Sequence, residues 1–428
     1  MLKKVIKNIL RLTVANKNLL WGIGILCAFF MFAYNTVVYT NQDNSYTIET
    51  AYSIATEFNL DLNEFSIEDL EHYNVIQVED KVYNYFPNGT SILISPVVYL
   101  LDLAGVDVIK SDVTIRKLLA AFFVALSCVI LFFTYRKRSY LVPFLLIAIY
   151  FFCTPVISTA SMDLWSQTPL LPIYAFTIYV LHKGLYKKNK YLLSSFGFLY
   201  FSFLIRPTSA IPILLLSIYL IVKDYRSFLK TVPIGIALLG LWLMHNYLAF
   251  DNLLHPYFYN RVYTNDYLGG LLGLLFSPAR GIIFFSPFIL FGFLGLRQSL
   301  KQKDKLLPII FLLIITVCYL ITAIERLWWG GWCMGPRFFT ELMPFFMYFI
   351  WMAFEYIGKM KKKRIAMSLI IIFIILATYS LNIFISLSYR IGPEIWNMDP
   401  NNINENIDRL WDFSDLAYTR AKPKLILK

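Results

Sequence analysis

The sequence predicts an all-α polytopic membrane protein, and the prediction rests on composition, recurring apolar runs and the distribution of charge. The 428 residues are 58% hydrophobic and only 15% charged, whereas soluble domains are about 45–50% apolar and about a quarter charged. Apolar runs of about 15–25 residues recur along the chain, and a helix needs about 20 such residues to cross a bilayer. We therefore expect a single membrane domain, residues 1–428, with about 11 transmembrane helices.

Most of the predicted transmembrane helices are joined by short connections. They lie near residues 19–40, 112–134, 140–158, 167–182, 191–205, 208–222, 231–249, 281–296, 306–324, 337–356 and 365–389. One alternative stays open, because Arg206-Pro207 could also interrupt a single kinked helix over 191–222. A single helix there would invert every later segment, so we favour two short helices that meet at Arg206.

The charged residues orient the predicted helices. With a cytoplasmic N-terminus, basic clusters such as 136–138 and 361–364 fall on the cytoplasmic side, as the positive-inside rule requires. Only the acids Asp224, Asp304 and Glu355 fall on that side, and the remaining acids crowd the outer side. The formal net charge of +12 therefore reflects topology and does not indicate a nucleic-acid partner.

The outer segments are unusual in length and content, which indicates that function faces outward. The first extracytoplasmic loop, about 41–111, is much longer than the others, and the apolar spacing over 46–58 predicts an amphipathic helix lying on the membrane. A capping pattern predicts a short helix over 66–72, and 90–103 is typical of an interfacial or half-inserted helix. Residues 391–428 are expected to form a short polar outer tail.

The cysteines and histidines predict neither a disulfide framework nor a zinc site. Four of the five cysteines lie in predicted transmembrane helices, and only Cys333 lies in an outer loop, so no paired spacing of metal ligands is present. The four histidines are scattered along the sequence. We expect structural roles for them.

Seven motifs of the outer segments follow one another in a characteristic order. They are Asp43 with Tyr46 and Glu49, and then residues 61–64, 85–96, 164–167, 206–208, 275–281 and 328–337. Together they resemble the GT-C superfamily of membrane glycosyltransferases, which includes protein O-mannosyltransferases and aminoarabinose transferases. The resemblance implies a GT-C-like fold and a polyprenyl-phosphate sugar as the donor substrate. It touches nearly the whole chain, although each motif alone is a loose pattern.

Two features depart from the pattern of the superfamily. Many members carry an Asp-Glu pair after the first helix, whereas Asn44 follows Asp43 here, and this weakens any prediction of a metal. Members with a second soluble domain carry a large C-terminal addition, for which the tail 391–428 is too short. Acceptor recognition is therefore expected to fall to the membrane core and its loops.

Position and resemblance together make Asp43 the candidate general base. It follows the first predicted helix at the membrane–water boundary, where partial desolvation raises the pKa of a carboxyl group toward a range useful for proton transfer. The alternative is that Asp43 caps the helix predicted over 46–58, a role that Asp fills well.

Four further acids are weaker candidates: Glu49, Asp61, Glu64 and Asp163. Any of them could bind a sugar hydroxyl, orient Asp43 or help to hold a divalent cation such as Mg²⁺ or Mn²⁺, which prefers oxygen ligands. Each could equally be a solvated loop acid, so no metal ligands are assigned.

The leaving phosphate that the resemblance implies needs charge-assisted donors, and the guanidinium group suits phosphate geometry. The candidates are Arg206, Arg280 and Arg337, which stand beside Pro or Gly at outer helix ends, with Lys81, Arg116 and Arg326 less favoured. The alternative for each is a side chain that reaches from a helix end to water.

Tryptophans form the last conspicuous element of the outer loops. Trp328, Trp329 and Trp332 are interleaved with glycines, which allow a close approach to a flat ligand, and Trp165 stands near Asp163. Sugar stacking or a wall of a lipid groove is the functional interpretation. Anchoring at the membrane interface, where Trp is common, is the alternative.

The hypothesis that unites these features is an inverting glycosyltransferase on the outer face of a prokaryotic cytoplasmic membrane. Its donor would be a polyprenyl-phosphate sugar, and its acceptor an envelope glycan, a lipid or a protein. An alternative is a transporter or flippase of a lipid-linked glycan, although internal repeats and mid-membrane charges, which are typical of transporters, are not apparent. A polymerase or ligase that uses oligosaccharide-pyrophosphate carriers is a third possibility.

Overall fold

The computed structural model describes residues 2–39, 42–65, 67, 74–137, 140–258, 263 and 266–422, and α-helix is the main element. The helices of this part of the chain are α1 (Leu2–Tyr34), α2 (Thr47–Thr56), α3 (Gly89–Leu103), α4 (Asp112–Tyr135), α5 (Leu141–Phe152), α6 (Leu170–His182), α7 (Asn189–Ile205), α8 (Ala210–Phe250), α9 (Tyr267–Phe276), α10 (Ile282–Phe285), α11 (Gly292–Ser299), α12 (Leu306–Ala323), α13 (Met343–Gly358) and α14 (Lys363–Tyr389). Two short strands, β1 (Val75–Val78) and β2 (Lys81–Asn84), complete the regular structure.

Five of the described helices are long and apolar enough to cross a membrane: α1, α4, α8, α12 and α14. Four shorter apolar helices, α3, α5, α6 and α9, accompany them. The protein is therefore a multi-pass helical membrane protein. The count of eleven spans stays a prediction, because several pieces are shorter than a bilayer is thick.

Helix α4 lies at the centre of the core, packed against α1, α5 and α6. Its fully buried Ala121, Ala125 and Cys128 recur at helical spacing, and small residues on one face let neighbouring helices approach closely. Phe29 of α1 packs edge-on against Phe151 of α5, with ring centroids 5.3 Å apart. Aromatic contacts of this kind fill the space between the helices.

Prolines break two of the predicted helices. The segment 281–296 is not continuous, because α10 ends at Phe285, Ser286 has non-helical backbone angles and Pro287 opens a 3-10 turn before α11. Pro336 likewise precedes a 3-10 turn over Arg337–Leu342, and α13 begins only at Met343. Proline lacks a backbone N–H and clashes with the preceding turn, so it kinks or breaks a helix, and both breaks bring irregular backbone close to the core.

The structure resolves the alternative at 191–222 into two separate helices. α7 ends at Ile205, Arg206 has extended backbone angles, and α8 begins at Ala210. A second break at Asp224 divides α8 into two halves. α7 runs parallel to the second half of α8, since Asn189 contacts Lys230 at one end and Phe203 contacts Trp242 at the other. The first half of α8 must therefore run back in the opposite direction.

The long first loop contains more structure than was predicted. α2 and α3 pack against each other, and Ile48 and Ala51 of α2 are fully buried, so part of the predicted amphipathic face meets protein. The β1–β2 hairpin, with Val75 opposite Asn84, was not predicted, because four-residue strands carry a weak periodic signal. Most of the short helix predicted over 66–72 lies outside the described residues. Whether these elements lie on the membrane stays a prediction.

The tail folds back onto the protein as a series of 3-10 turns. Ile391 and Lys422 pair as an isolated antiparallel bridge. Arg420 bonds Asp399 and Asp415 through its guanidinium group, and the Trp396 ring is fully buried. The described part of the tail thus caps the loop between α12 and α13, where Asn402 and Asn404 accept from Trp332 and Trp329.

Candidate active site

A cavity of about 620 Å³ opens where the long first loop, the α7–α8 junction, the α12–α13 loop and the tail meet. Four of the predicted site residues line it: Asp43, Arg206, Trp332 and Arg337. These residues come from positions far apart in the chain, so the cavity is created by tertiary packing. Its lining includes two acids, three arginines and several aromatic side chains.

Asp43 and Arg337 are in direct contact on the cavity wall. Arg337 Nη2 donates to Asp43 Oδ2 at 2.5 Å, and Arg337 Nη1 donates to the carbonyl of Gly330 at 3.3 Å. The guanidinium group lies 4.1 Å from the ring centroid of the buried Trp165. Asp43 stands in a short 3-10 turn, Gln42–Asn44, and therefore does not cap α2. The arginine holds the carboxylate in one orientation while Trp165 supports the arginine from behind.

Arg206 lines the same cavity from the junction of α7 and α8. Its Nε lies 3.2 Å from Glu341 Oε2 and 3.0 Å from the hydroxyl of Thr208, to which it donates. Its Nη1 donates to the hydroxyl of Ser166 at 3.2 Å. Arg206 has extended backbone angles at the break before Pro207, and this backbone directs its side chain to the cavity. In a continuous helix Arg206 would have helical backbone angles instead. The guanidinium is thus fixed by neighbours on two sides.

Arg280 lies behind the cavity wall, contrary to the predicted phosphate contact. It is 1% exposed, and it donates to the carbonyls of Trp329, Ala279 and Gly331 and to Asn397 Oδ1 at 2.7–3.3 Å. These contacts join the α12–α13 loop to the tail. The position of Arg280 is explained by this structural role.

Two of the weaker acidic candidates form contacts away from the cavity. Asp163 is fully buried and accepts from Arg116 Nη1 at 3.1 Å, and burial raises the pKa of its carboxyl group while Arg116 opposes the rise. Asp61 pairs with Lys81 at 3.3 Å on another face. Neither Lys81 nor Asp61 lines the cavity, so Lys81 is not placed to bind a phosphate there.

Glu49 and Glu64 are also absent from the cavity lining. Burial raises the pKa of the Glu49 carboxyl, and the nearby Asp112 carboxylate adds to the rise. Glu64 is exposed. Among the described residues, no group of three or more His, Cys, Asp or Glu side chains could hold a metal ion, and Asp43 has an arginine as its carboxylate partner.

The three loop tryptophans differ in their surroundings. Trp332 lines the cavity, and its indole N–H donates to Asn402 at 3.0 Å. Trp329 is buried and donates to Asn404 at 3.0 Å. Trp328 packs so closely on Gly273 that a Cβ there would lie 2.0 Å from its ring. Only Trp332 is thus placed to meet a ligand, and the other two join the loop to α9 and the tail.

Several lining residues were not among the predicted site residues. Asn84, Ser91 and Thr208 line the cavity beside the charged groups, and Asn404 of the tail closes one side. Arg326, a less favoured cation, also lines it. The available signal was membership of the motifs, since Ser91 lies within 85–96 and Thr208 within 206–208. Asn404 had no such signal.

No protein-family model matches the chain, and no curated protein matches it significantly by sequence. Its structure is similar to the crystal structure of ArnT from Cupriavidus metallidurans bound to undecaprenyl phosphate, with a TM-score of 0.53 at 12% sequence identity. The match covers 90% of this chain and 66% of the ArnT chain. The chain has the fold of ArnT. The predicted GT-C-like fold is therefore confirmed.

The ArnT likeness concerns the fold of this chain rather than its chemistry. The chain spans about two thirds of the ArnT length, and at 12% identity the side chains of a site cannot be equated residue by residue. A function for this chain is therefore inferred from the geometry of its cavity, and only the fold is taken from the likeness to ArnT.

Proposed function

We propose that the protein transfers a sugar from a polyprenyl-phosphate donor to an acceptor hydroxyl, with inversion at the anomeric carbon. The observation that carries the proposal is the contact of Asp43 with Arg337 on a cavity that Arg206 also lines. An acid and two cations that line one cavity provide a proton acceptor and charge partners for a departing phosphate. The likeness to ArnT, whose structure contains undecaprenyl phosphate, supports this class of donor.

Asp43 is the general base in the proposed reaction. It accepts the proton of the acceptor hydroxyl as the oxygen forms a bond to the anomeric carbon. The bond from that carbon to the phosphate oxygen breaks, and polyprenyl phosphate leaves with the bonding electrons. Arg337 and Arg206 stabilise the negative charge that develops on the phosphate. One displacement of this kind inverts the anomeric configuration.

The proposed acceptor is a glycan, lipid or protein of the cell envelope, and the proposed site faces out of the cell. Trp332 and Asn404 line the part of the cavity formed by the α12–α13 loop and the tail, and an aromatic ring beside an amide is a suitable surface for a sugar. The side of the membrane can be tested by labelling single cysteines at the exposed positions Lys303 and Ser414 in a Cys27→Ser background. Opposite accessibility supports the orientation, and equal accessibility contradicts it.

The reaction can be tested by incubating purified protein with a panel of polyprenyl-phosphate monosaccharides, with water or an added envelope extract as the source of the acceptor hydroxyl, and measuring released polyprenyl phosphate. We expect Asp43→Asn to lower the rate by about 10²- to 10⁴-fold, the usual contribution of a general base. Glu64→Gln, an exposed acid of the same loop, is the matched control and should retain the wild-type rate.

Two outcomes would overturn the proposal. Full activity of a stably folded Asp43→Asn protein would remove the base assignment. Transbilayer movement of the lipid-linked sugar without any broken bond, in wild-type protein, would identify a flippase instead.

A further inference from the structure

A second cavity, of about 270 Å³, lies between α3, α7 and the second half of α8. Its walls are mainly apolar, and Phe201, Leu238 and Trp242 are among them. It adjoins the candidate active site, since Pro87 and Pro207 line both cavities. We refer to it as the α7–α8 groove. Because one wall belongs to the long apolar helix α8 and the rest of the lining is mainly apolar, a molecule with an apolar chain would find a favourable surface there.

Buried polar side chains interrupt this apolar surface. Asn246 is fully buried, His255 is 5% exposed, and both line the α7–α8 groove together with His245. Within the described part of the chain, His255 Nε2, Asn246 Oδ1 and His245 Nε2 have no hydrogen-bond partner. Leaving a buried polar atom without a partner costs about 1–3 kcal/mol. These atoms therefore need a partner that the described residues do not supply.

The other atoms of the two most buried side chains define what that partner must be. His255 Nδ1 accepts from the backbone N–H of Tyr257 at 3.1 Å, so Nε2 of the neutral ring carries the proton and is a donor. Asn246 Nδ2 donates to the carbonyl of Leu253 at 3.2 Å, so Oδ1 is an acceptor. These two side chains thus present one unused donor and one unused acceptor to the groove.

The charges of the described groove residues do not favour an anionic headgroup as the partner of these polar atoms. Burial, with a smaller effect of His245, lowers the pKa of His255 to about 4, so the ring is neutral near pH 7. No Lys or Arg is among the described residues that line the groove. A phosphate or carboxylate would have no cation to pair with there.

We propose that the α7–α8 groove binds an uncharged lipid alcohol, with its hydroxyl held between His255 and Asn246 and its chain against the apolar wall. A hydroxyl group is both a donor and an acceptor, so one such group accepts from His255 Nε2 and donates to Asn246 Oδ1. This site is separate from the proposed sugar transfer and does not depend on it.

Trp242 provides an intrinsic reporter, because it lines the groove. The wild-type protein in lipid nanodiscs is titrated with 12-bromododecan-1-ol, its methyl ether and 1-bromododecane, and the bromine quenches the indole fluorescence. The part of the fluorescence quenching that disappears in a Trp242→Phe protein is assigned to the groove. Each affinity is expressed per mole fraction of ligand in the membrane. We expect the alcohol to bind about 5- to 10-fold more tightly than the methyl ether, which cannot donate a hydrogen bond.

Substitutions at the two polar side chains test the assignment. Asn246→Leu and His255→Phe should reduce the preference for the alcohol to less than twofold while the bromoalkane still binds. Asn189→Leu, an exposed position at the start of α7, is the matched control and should keep the preference.

The ligand series keeps the test decisive even where a variant fails to fold. Equal affinity of wild-type protein for the alcohol and the methyl ether would overturn the proposal, because water would then satisfy the polar atoms. Tighter binding of 12-bromododecyl phosphate than of the alcohol would also overturn it and would identify an anion site.

Discussion

Asp43 and Arg337 are 294 residues apart in the chain, and their side chains meet at 2.5 Å on one cavity wall. The contact joins the candidate base to a candidate phosphate ligand. A change at Arg337 should therefore affect both the orientation of the base and the stabilisation of the leaving group. The Trp165 ring packs against the guanidinium group of Arg337 and fixes the plane of that group.

The contacts of Arg337 predict that a positive charge alone at this position is not sufficient for full activity. Arg337→Lys keeps the positive charge but loses the planar fork and the stacking on Trp165, so we expect a fall in kcat/KM of about 10- to 100-fold. Arg364→Lys, at the exposed start of α14, should have no effect. The measurement is the release of polyprenyl phosphate by folded protein. Wild-type kcat/KM in Arg337→Lys would show that the planar guanidinium group is not required.

Arg280 is predicted to act on stability rather than on catalysis. Arg280→Met removes the donors that serve three buried carbonyls and Asn397, and we expect a loss of about 2–4 kcal/mol in the free energy of unfolding. Thermal unfolding in detergent measures the loss. The KM for the donor, determined with the folded fraction at low temperature, should stay within twofold of wild type. A large rise in the KM for the donor without a loss of stability would instead support Arg280 as a phosphate ligand.

The buried contact of Arg116 with Asp163 is predicted to show strong coupling. Arg116→Met leaves the buried Asp163 without this arginine, and we expect a cost of about 3–5 kcal/mol in the free energy of unfolding. Asp163→Leu should cost less, because Arg116 also pairs with Asp112 at 2.8 Å. The double variant should cost clearly less than the sum of the two. Additive losses in the double-mutant cycle would show that the 3.1 Å contact is energetically unimportant.

The close approach of α3 to α7 depends on a glycine. A Cβ at Gly89 would lie 2.3 Å from backbone atoms of Leu204 and Ile205, so Gly89→Ala must push the helices apart. We expect a loss of about 1–3 kcal/mol or more in the free energy of unfolding. Gly240→Ala is the matched control, since a Cβ at that position would have no atom within 4 Å, and it should be neutral or slightly stabilising.

His255 is predicted to make stability depend on pH. Burial lowers the pKa of His255 from 6.5 to about 4, so the unfolded chain takes up a proton at a higher pH than the folded protein does. The contribution of His255 to the free energy of unfolding is therefore complete above about pH 6.5, and it declines as the pH falls toward about 4. Between pH 7 and pH 5 we expect a decline of about 2 kcal/mol, which His255→Phe should remove. An identical pH profile in the variant would contradict the assignment.

Much of the fold could be predicted from the sequence, because the apolar content of a membrane-spanning segment is a local property. The apolar runs predicted α4, α12 and α14 to within a few residues, and the order of the outer motifs predicted the GT-C-like fold. The breaks at Pro287 and Pro336 were less predictable, since a proline permits either a kink or a new turn. The β1–β2 hairpin was too short to leave a clear pattern.

The sequence by itself determined a helical membrane protein and nominated Asp43, Arg206 and Arg337 as candidates. Only the tertiary structure decided which nominated side chains share a cavity. Arg280 and Arg337 stand in similar local contexts, but Arg280 is surrounded by carbonyls and Arg337 meets Asp43. Helical and apolar periodicity describes neighbours within a few residues, whereas the partner of a buried charge is chosen by the packing of segments far apart in the chain.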